Sequence, residues 1–245
     1  MKSVHVPQIN TRYWAGITMA SIFGTNLGDL YAHDSGLGII GGLPVLAALV
    51  ALAYFFERRD KSQHEAWYWL AIIIIRTGAT NIADYLCGRH YMGIDRVALS
   101  VGLALLITAL IWQGKSNEKS GLPQTNSKYW IAMLAAGVFG TAAGDALTKS
   151  LGDANNIGGV YSSSIMAALL AATLLFGRGG RIQTLYYYWL TICIARTAGT
   201  AIADMLAENE TLNIGLPICT ICTGVIFVAI LTLWKPRLTQ LQEAT

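Results

Sequence analysis

Three residues recur at one spacing four times in this chain, each time within a stretch that is otherwise almost free of charge. Tyr-Trp pairs stand at Tyr13-Trp14, Tyr68-Trp69, Tyr129-Trp130 and Tyr188-Trp189. Twelve residues after each Tyr comes Thr25, Thr80, Thr141 or Thr200, and sixteen residues after it comes Asp29, Asp84, Asp145 or Asp204. A fixed internal period of this kind is the mark of one structural unit used repeatedly.

The intervening positions repeat as well. Gly24, Ala79, Gly140 and Gly199 precede the Thr, and Gly28, Ala83, Gly144 and Ala203 precede the Asp. Copies one and three read GTxxGD, whereas copies two and four carry an added Arg-Thr at Arg76-Thr77 and Arg196-Thr197. The chain is therefore a duplicated pair, with halves 1–120 and 121–245 joined by a polar linker near 114–127 and forming one membrane domain.

The repeat must fold in a membrane. The sequence is 54% hydrophobic and 13% charged, with mean hydropathy +0.47, too apolar for a soluble domain with an ordinary charged surface. Apolar stretches of about the ~20 residues that cross a bilayer fall at 13–33, 36–56, 66–88, 93–113, 128–150, 156–176, 185–207 and 211–234. The expected fold class is all-α: a polytopic membrane protein of eight transmembrane helices. Each copy holds two spans, so all four hairpins enter with the same orientation, and parallel repeats imply a pseudo-symmetry axis along the membrane normal.

Charge sorts by loop. Lys2, Arg12, Arg58, Arg59, Lys61, Lys115, Lys119, Lys128, Arg178, Arg181, Lys235 and Arg237 fall on one side, and Arg89, Arg96 and Lys149 on the other. Lysine and arginine accumulate on the cytoplasmic side of polytopic proteins, so both termini are expected in the cytoplasm of a cell bounded by a bacterial inner membrane. The partners are the lipid bilayer and a small cation, with no nucleic acid; a homo-oligomer is compatible. The first span lacks a cleavage pattern and reads as a retained helix. Cys87, Cys193, Cys219 and Cys222 lie in or beside apolar spans and read as packing residues.

The chemistry lies in the repeat. Thr and Asp four residues apart share a helix face, and the flanking small residues allow another backbone to approach. A carboxylate facing lipid is costly, so the acids are expected to point into the bundle. Sixteen residues at ~1.5 Å each put every Asp about 24 Å beyond the Tyr, and Arg76 and Arg196 halfway along. The Tyr-Trp pairs read as interfacial anchors.

Arg76 and Arg196 can pair with neighbouring carboxylates, but four Asp against two Arg leave two acids uncompensated. Intramembrane ionisable residues mark ion pathways, and rings of carboxylates select cations. Asp29, Asp84, Asp145 and Asp204 with Thr25, Thr80, Thr141, Thr200, Asn26 and Asn81 make an oxygen-rich substrate site tuned by Arg76 and Arg196. Such ligands suit hard or borderline cations. His33, four residues beyond Asp29, could join it as a metal ligand, although a loop histidine is the simpler reading for His33 and for His90.

No Ser-His-Asp set, HExxH or phosphate-cradling loop occurs, so an enzyme is not expected, and neither is a tightly bound cofactor. The sequence points to a transporter that exports a divalent metal ion of the Mn, Mg, Co, Ni or Zn class, with protonation of the acids coupled to transport. A cation channel, a small organic cation carrier and a non-transporting assembly protein are the alternatives. The Tyr-Trp openings, the GTxxGD of copies one and three and the Arg-Thr variant of copies two and four resemble an uncharacterised bacterial group of multispanning membrane-anchored proteins built from a repeat of unknown function. Copy two departs slightly, reading Arg76-Thr77-Gly78-Ala79-Thr80. The resemblance covers nearly the whole chain and implies the membrane fold without naming an activity.

Overall fold

The computed structural model of the chain describes residues 6–59, 64–87, 95–114, 125–152, 157–177, 184–212 and 214–234. Among them are eight α-helices and no strand: α1 (Thr11–Asp34), α2 (Gly38–Arg59), α3 (Glu65–Cys87), α4 (Asp95–Gly114), α5 (Ser127–Leu151), α6 (Ile157–Phe176), α7 (Leu185–Glu208) and α8 (Leu216–Leu233). His90, Arg89 and most of the lysines and arginines of the charge bias lie outside the described residues, as does most of the 114–127 linker.

Local sequence sets the helix starts. Asn10 accepts the backbone N–H of Tyr13, Asn126 that of Tyr129, and Thr184 that of Tyr187, satisfying N–H groups that have no partner within the helix. α8 begins five residues later than the apolar run suggests, because Gly215 has φ +82° and Pro217 occupies the first turn. Pro217 therefore starts a helix, where its missing N–H costs nothing; Pro44 alone of the two sits inside one.

The odd helices form a closed cycle in which α1 packs on α3, α3 on α5, α5 on α7 and α7 on α1. The even helices lie outside it, and each chiefly covers the next hairpin: α2 on α3, α4 on α5, α6 on α7 and α8 on α1. Burial separates the two layers. In the most apolar stretch of α3, α5 and α7, 61% of residues are buried, against 17% in α2, 28% in α6 and 22% in α8. The outer helices expose Leu52, Phe56, Ile107, Ile111, Ile165, Val225 and Val228, the surface that a membrane protein turns to lipid.

Among the described residues six helices, α2, α3, α5, α6, α7 and α8, are long and apolar enough to cross a membrane. The chain is a multi-pass membrane protein. α1 and α4 are not among the six, where sequence reading expected eight spans. For α1 the reason is physical: Ser21, Thr25, Asn26 and Asp29 interrupt its apolar run, and the first three are buried against other helices.

Small residues bring the inner helices together. A Cβ on Gly28 would fall 2.9 Å from the Cβ of Thr80, and one on Gly144 2.8 Å from the Cβ of Thr200. Across the other two contacts, a Cβ on Gly137 would fall 2.6 Å from that of Ala79, and one on Gly199 2.3 Å from that of Ser21. Where packing within a bilayer replaces the hydrophobic drive, such close backbone approach holds helices together.

Candidate functional site

The repeated Tyr, Arg, Thr and Asp residues form successive layers along the inner cycle. Tyr13, Tyr68, Tyr129 and Tyr188 are at most 3% exposed. Their hydroxyls close a ring: Tyr13 to Tyr68 at 2.9 Å, Tyr68 to Tyr129 at 2.6 Å, Tyr129 to Tyr188 at 2.8 Å and Tyr188 to Tyr13 at 2.6 Å. A phenol donates one hydrogen bond and accepts others, so four phenols in a circle satisfy every donor.

Each Tyr ring also rests against the Trp of the next inner helix. The centroids are 5.8 Å apart for Tyr13 and Trp69, 5.6 Å for Tyr68 and Trp130, 5.7 Å for Tyr129 and Trp189, and 5.8 Å for Tyr188 and Trp14. These pairs are therefore not interfacial anchors. Tight helix contacts, such as Trp69 packed over Gly16, draw the tyrosines inward, where their hydroxyls can satisfy only one another. That all four copies carry Tyr, at a fixed distance from Thr and Asp, was the signal of a shared task.

Eight residues further on lie Arg76 and Arg196, both 0% exposed. Arg76 reaches the threonine layer. Its Nη2 donates to Thr25 Oγ1 at 2.5 Å and Thr200 Oγ1 at 2.6 Å, and its Nη1 to Thr141 Oγ1 at 2.7 Å and the Gly137 carbonyl at 3.2 Å. Its Nε donates to the Ser21 carbonyl at 3.3 Å. A guanidinium has five N–H donors, and all five are taken by neutral oxygens. The expected pairing of Arg76 with carboxylates is thus replaced by three hydroxyls and two carbonyls. Arg196 reaches Ser21 Oγ at 3.3 Å and Met133 Sδ at 3.5 Å, and its Nε has no partner.

One turn beyond the threonines, ~6 Å along the helices, the four Asp are half-buried rather than sealed. They sense one another electrostatically: Asp29 with Asp145, Asp84 with Asp29 and Asp145, and Asp204 with all three. Arg76 is within electrostatic reach of Asp29, Asp204 and Asp145. Lys149 and Glu208, both exposed, act on the same layer.

His33 is exposed at the end of α1. Asn26 is buried with neither amide atom partnered, and Asn81 donates its Nδ2 to the Thr77 carbonyl of its own helix at 3.1 Å. Thr80, alone among the four repeat threonines in this respect, has a buried hydroxyl without a partner. Among the described residues no group of three or more His, Cys, Asp or Glu is arranged to hold a metal ion. Ser21 and Gly137, which sequence reading did not single out, supply carbonyls to Arg76. Backbone acceptors leave no trace in residue type. All four cysteines are free thiols.

The model of a family described as Repeat of Unknown Function (DUF347) matches residues 12–61, 128–177 and 187–236, together more than half of the chain. The chain belongs to this repeat family. Each match to the family begins at or within a residue of the Tyr-Trp pair and takes in an inner helix with the outer helix that follows it. The three matches are copies one, three and four; copy two, with its Arg76-to-Thr80 departure, is not matched. No curated protein and no solved structure matches the chain.

Proposed function

We propose that this chain is a carrier that moves a cation across the bacterial inner membrane, capturing it at the layer of Asp29, Asp84, Asp145 and Asp204. One observation carries the reading: four half-buried carboxylates share a level, and the guanidinium beneath them spends all five donors on neutral oxygens. Arg76 does not neutralise this layer, and in this reading a proton or a cation shares the acids' oxygens, since a bare carboxylate within a membrane is costly. In this reading the four hairpins stand parallel about an axis along the membrane normal, and the basic loops and both termini face the cytoplasm.

The substrate class is a divalent metal ion, and the direction is export. With no three-ligand cluster among the described residues, the ion is engaged with much of its water retained, as Mg²⁺ is when one or two carboxylates hold it. Export and protonation of the acids are coupled, since a proton and a cation compete for the same oxygens. The Arg76 seat and the tyrosine ring obstruct the axis, which favours a carrier that must rearrange over an open channel.

The test is ion movement in proteoliposomes loaded with the full-length protein, across Mn²⁺, Mg²⁺, Co²⁺, Ni²⁺ and Zn²⁺. Uptake or release of at least one ion that is lost in Asp204→Asn is the expected result. A folded, reconstituted protein that moves none of them, with equal metal content in cells with and without it, overturns the proposal. The closed axis favours one other reading, a membrane assembly protein whose polar layers only join helices; it predicts that second outcome.

A further inference from the structure

Arg76 and Arg196 hold the same place in their repeats, eight residues after Tyr and four before Thr. Their stems also start against equivalent partners: a Cβ on Gly24 would fall 2.8 Å from the Cβ of Arg76, and one on Gly140 2.5 Å from the Cβ of Arg196. From there the two side chains part. Arg76 enters the threonine layer and is satisfied at all five donors, whereas Arg196 keeps two long contacts and an unpartnered Nε. Both approach Ser21, one at its carbonyl and the other at its hydroxyl, so two buried cations are neighbours and one seat serves them.

We propose that the threonine layer is a guanidinium-binding site of single occupancy, which the two arginines take in turn. The duplicated pair supplies the argument. Exchanging the halves maps Thr25 onto Thr141, Thr80 onto Thr200, Ser21 onto Gly137 and Arg76 onto Arg196. Arg76 uses Thr25, Thr141, Thr200 and the carbonyls of Ser21 and Gly137, leaving idle the threonine of its own helix, Thr80.

Under the exchange this set becomes Thr141, Thr25, Thr80 and the same two carbonyls, with Thr200 left idle. Four of the five acceptors are therefore common to both seats, and the fifth acceptor for Arg196 is the buried hydroxyl that now has no partner. Two guanidiniums cannot share the layer, because each needs the same four oxygens and they repel. The site takes planar cations with forked N–H donors, free guanidinium included. This inference stands apart from the transport proposal and holds or fails without it.

The experiment is thermal unfolding of the full chain in detergent. Arg76→Met and Arg196→Met are expected to lower the melting temperature by similar small amounts, about 2–4 °C each, despite their unlike surroundings, because the surviving arginine fills the seat. The double variant falls by more than the sum, and millimolar guanidinium, but not sodium at equal ionic strength, restores part of the loss in the double variant alone. Thr80→Val provides the check if the double variant does not fold: it is silent in the wild-type chain and costly in Arg76→Met, where Arg196 needs that hydroxyl. A large loss in Arg76→Met beside a silent Arg196→Met, or a Thr80→Val effect equal in both backgrounds, overturns the proposal.

Discussion

The tyrosine layer and the aspartate layer are built from the same four helices at the same repeat spacing, yet one closes and the other does not. The phenols meet at 2.6–2.9 Å in a complete ring, while the carboxylates stay half-buried and act on one another through charge. The difference lies in the functional group. A neutral hydroxyl both donates and accepts, so four of them circulate hydrogen bonds without net charge; an ionised carboxylate only accepts, and each neighbouring carboxylate makes ionisation of the next more costly. One repeat thus makes a seal at one level and a charged, receptive surface at another.

The largest effect should come from breaking the contact that holds both layers in register. Gly199→Val places a Cβ 2.3 Å from that of Ser21 and 2.9 Å from its backbone carbon, and overpacking against backbone has no cheap relief. The variant is expected to yield no monodisperse protein by size-exclusion chromatography, whereas Gly41→Ala, on an outer helix with only Leu37 nearby at 3.7 Å, should behave as wild type.

The next test separates the layers directly. Tyr129→Phe leaves two buried hydroxyls short of a partner and should cost about 1–3 kcal/mol in unfolding free energy. Replacing all four tyrosines with Phe removes donors and acceptors together, so it should cost much less than four times the single loss. A single variant as stable as wild type would show that the ring closes nothing.

Asp84→Asn should reverse the sign seen in the tyrosine layer. Removing one of four like charges is expected to leave the melting temperature unchanged or higher, with ion movement in proteoliposomes reduced at least tenfold on the carrier reading. Loss of stability would mean that the carboxylate is a structural partner. The smallest effect belongs to Glu65→Gln at the tyrosine end, where the pair with Arg12 at 2.7 Å is partly exposed. It should cost under ~1 kcal/mol, and less in high salt.

Much of this was legible in the residues. The four-helix inner set follows from the Tyr, Thr and Asp spacing, and the duplicated pair from the alternation of GTxxGD with the Arg-Thr variant. The destination of each polar group was less legible. Tyr13 reads as a membrane anchor because an amphipathic aromatic near a helix start usually is one, and only the closure of the inner cycle puts its hydroxyl beside those of Tyr68 and Tyr188. Arg76 reads as a partner for Asp because charge attracts charge; the structure instead offers it five neutral oxygens on three other helices, two of them backbone carbonyls that no residue type announces.

The sequence by itself determined the membrane class, the repeat, the level of each polar layer along its helix and the imbalance between acids and arginines. Spacing along a helix converts directly into height, because the rise per residue is constant. Only the tertiary structure decided what lies opposite each group at that height. Two arginines with one sequence context took unlike places, since a closed ring of helices leaves one seat for a guanidinium and two claimants for it.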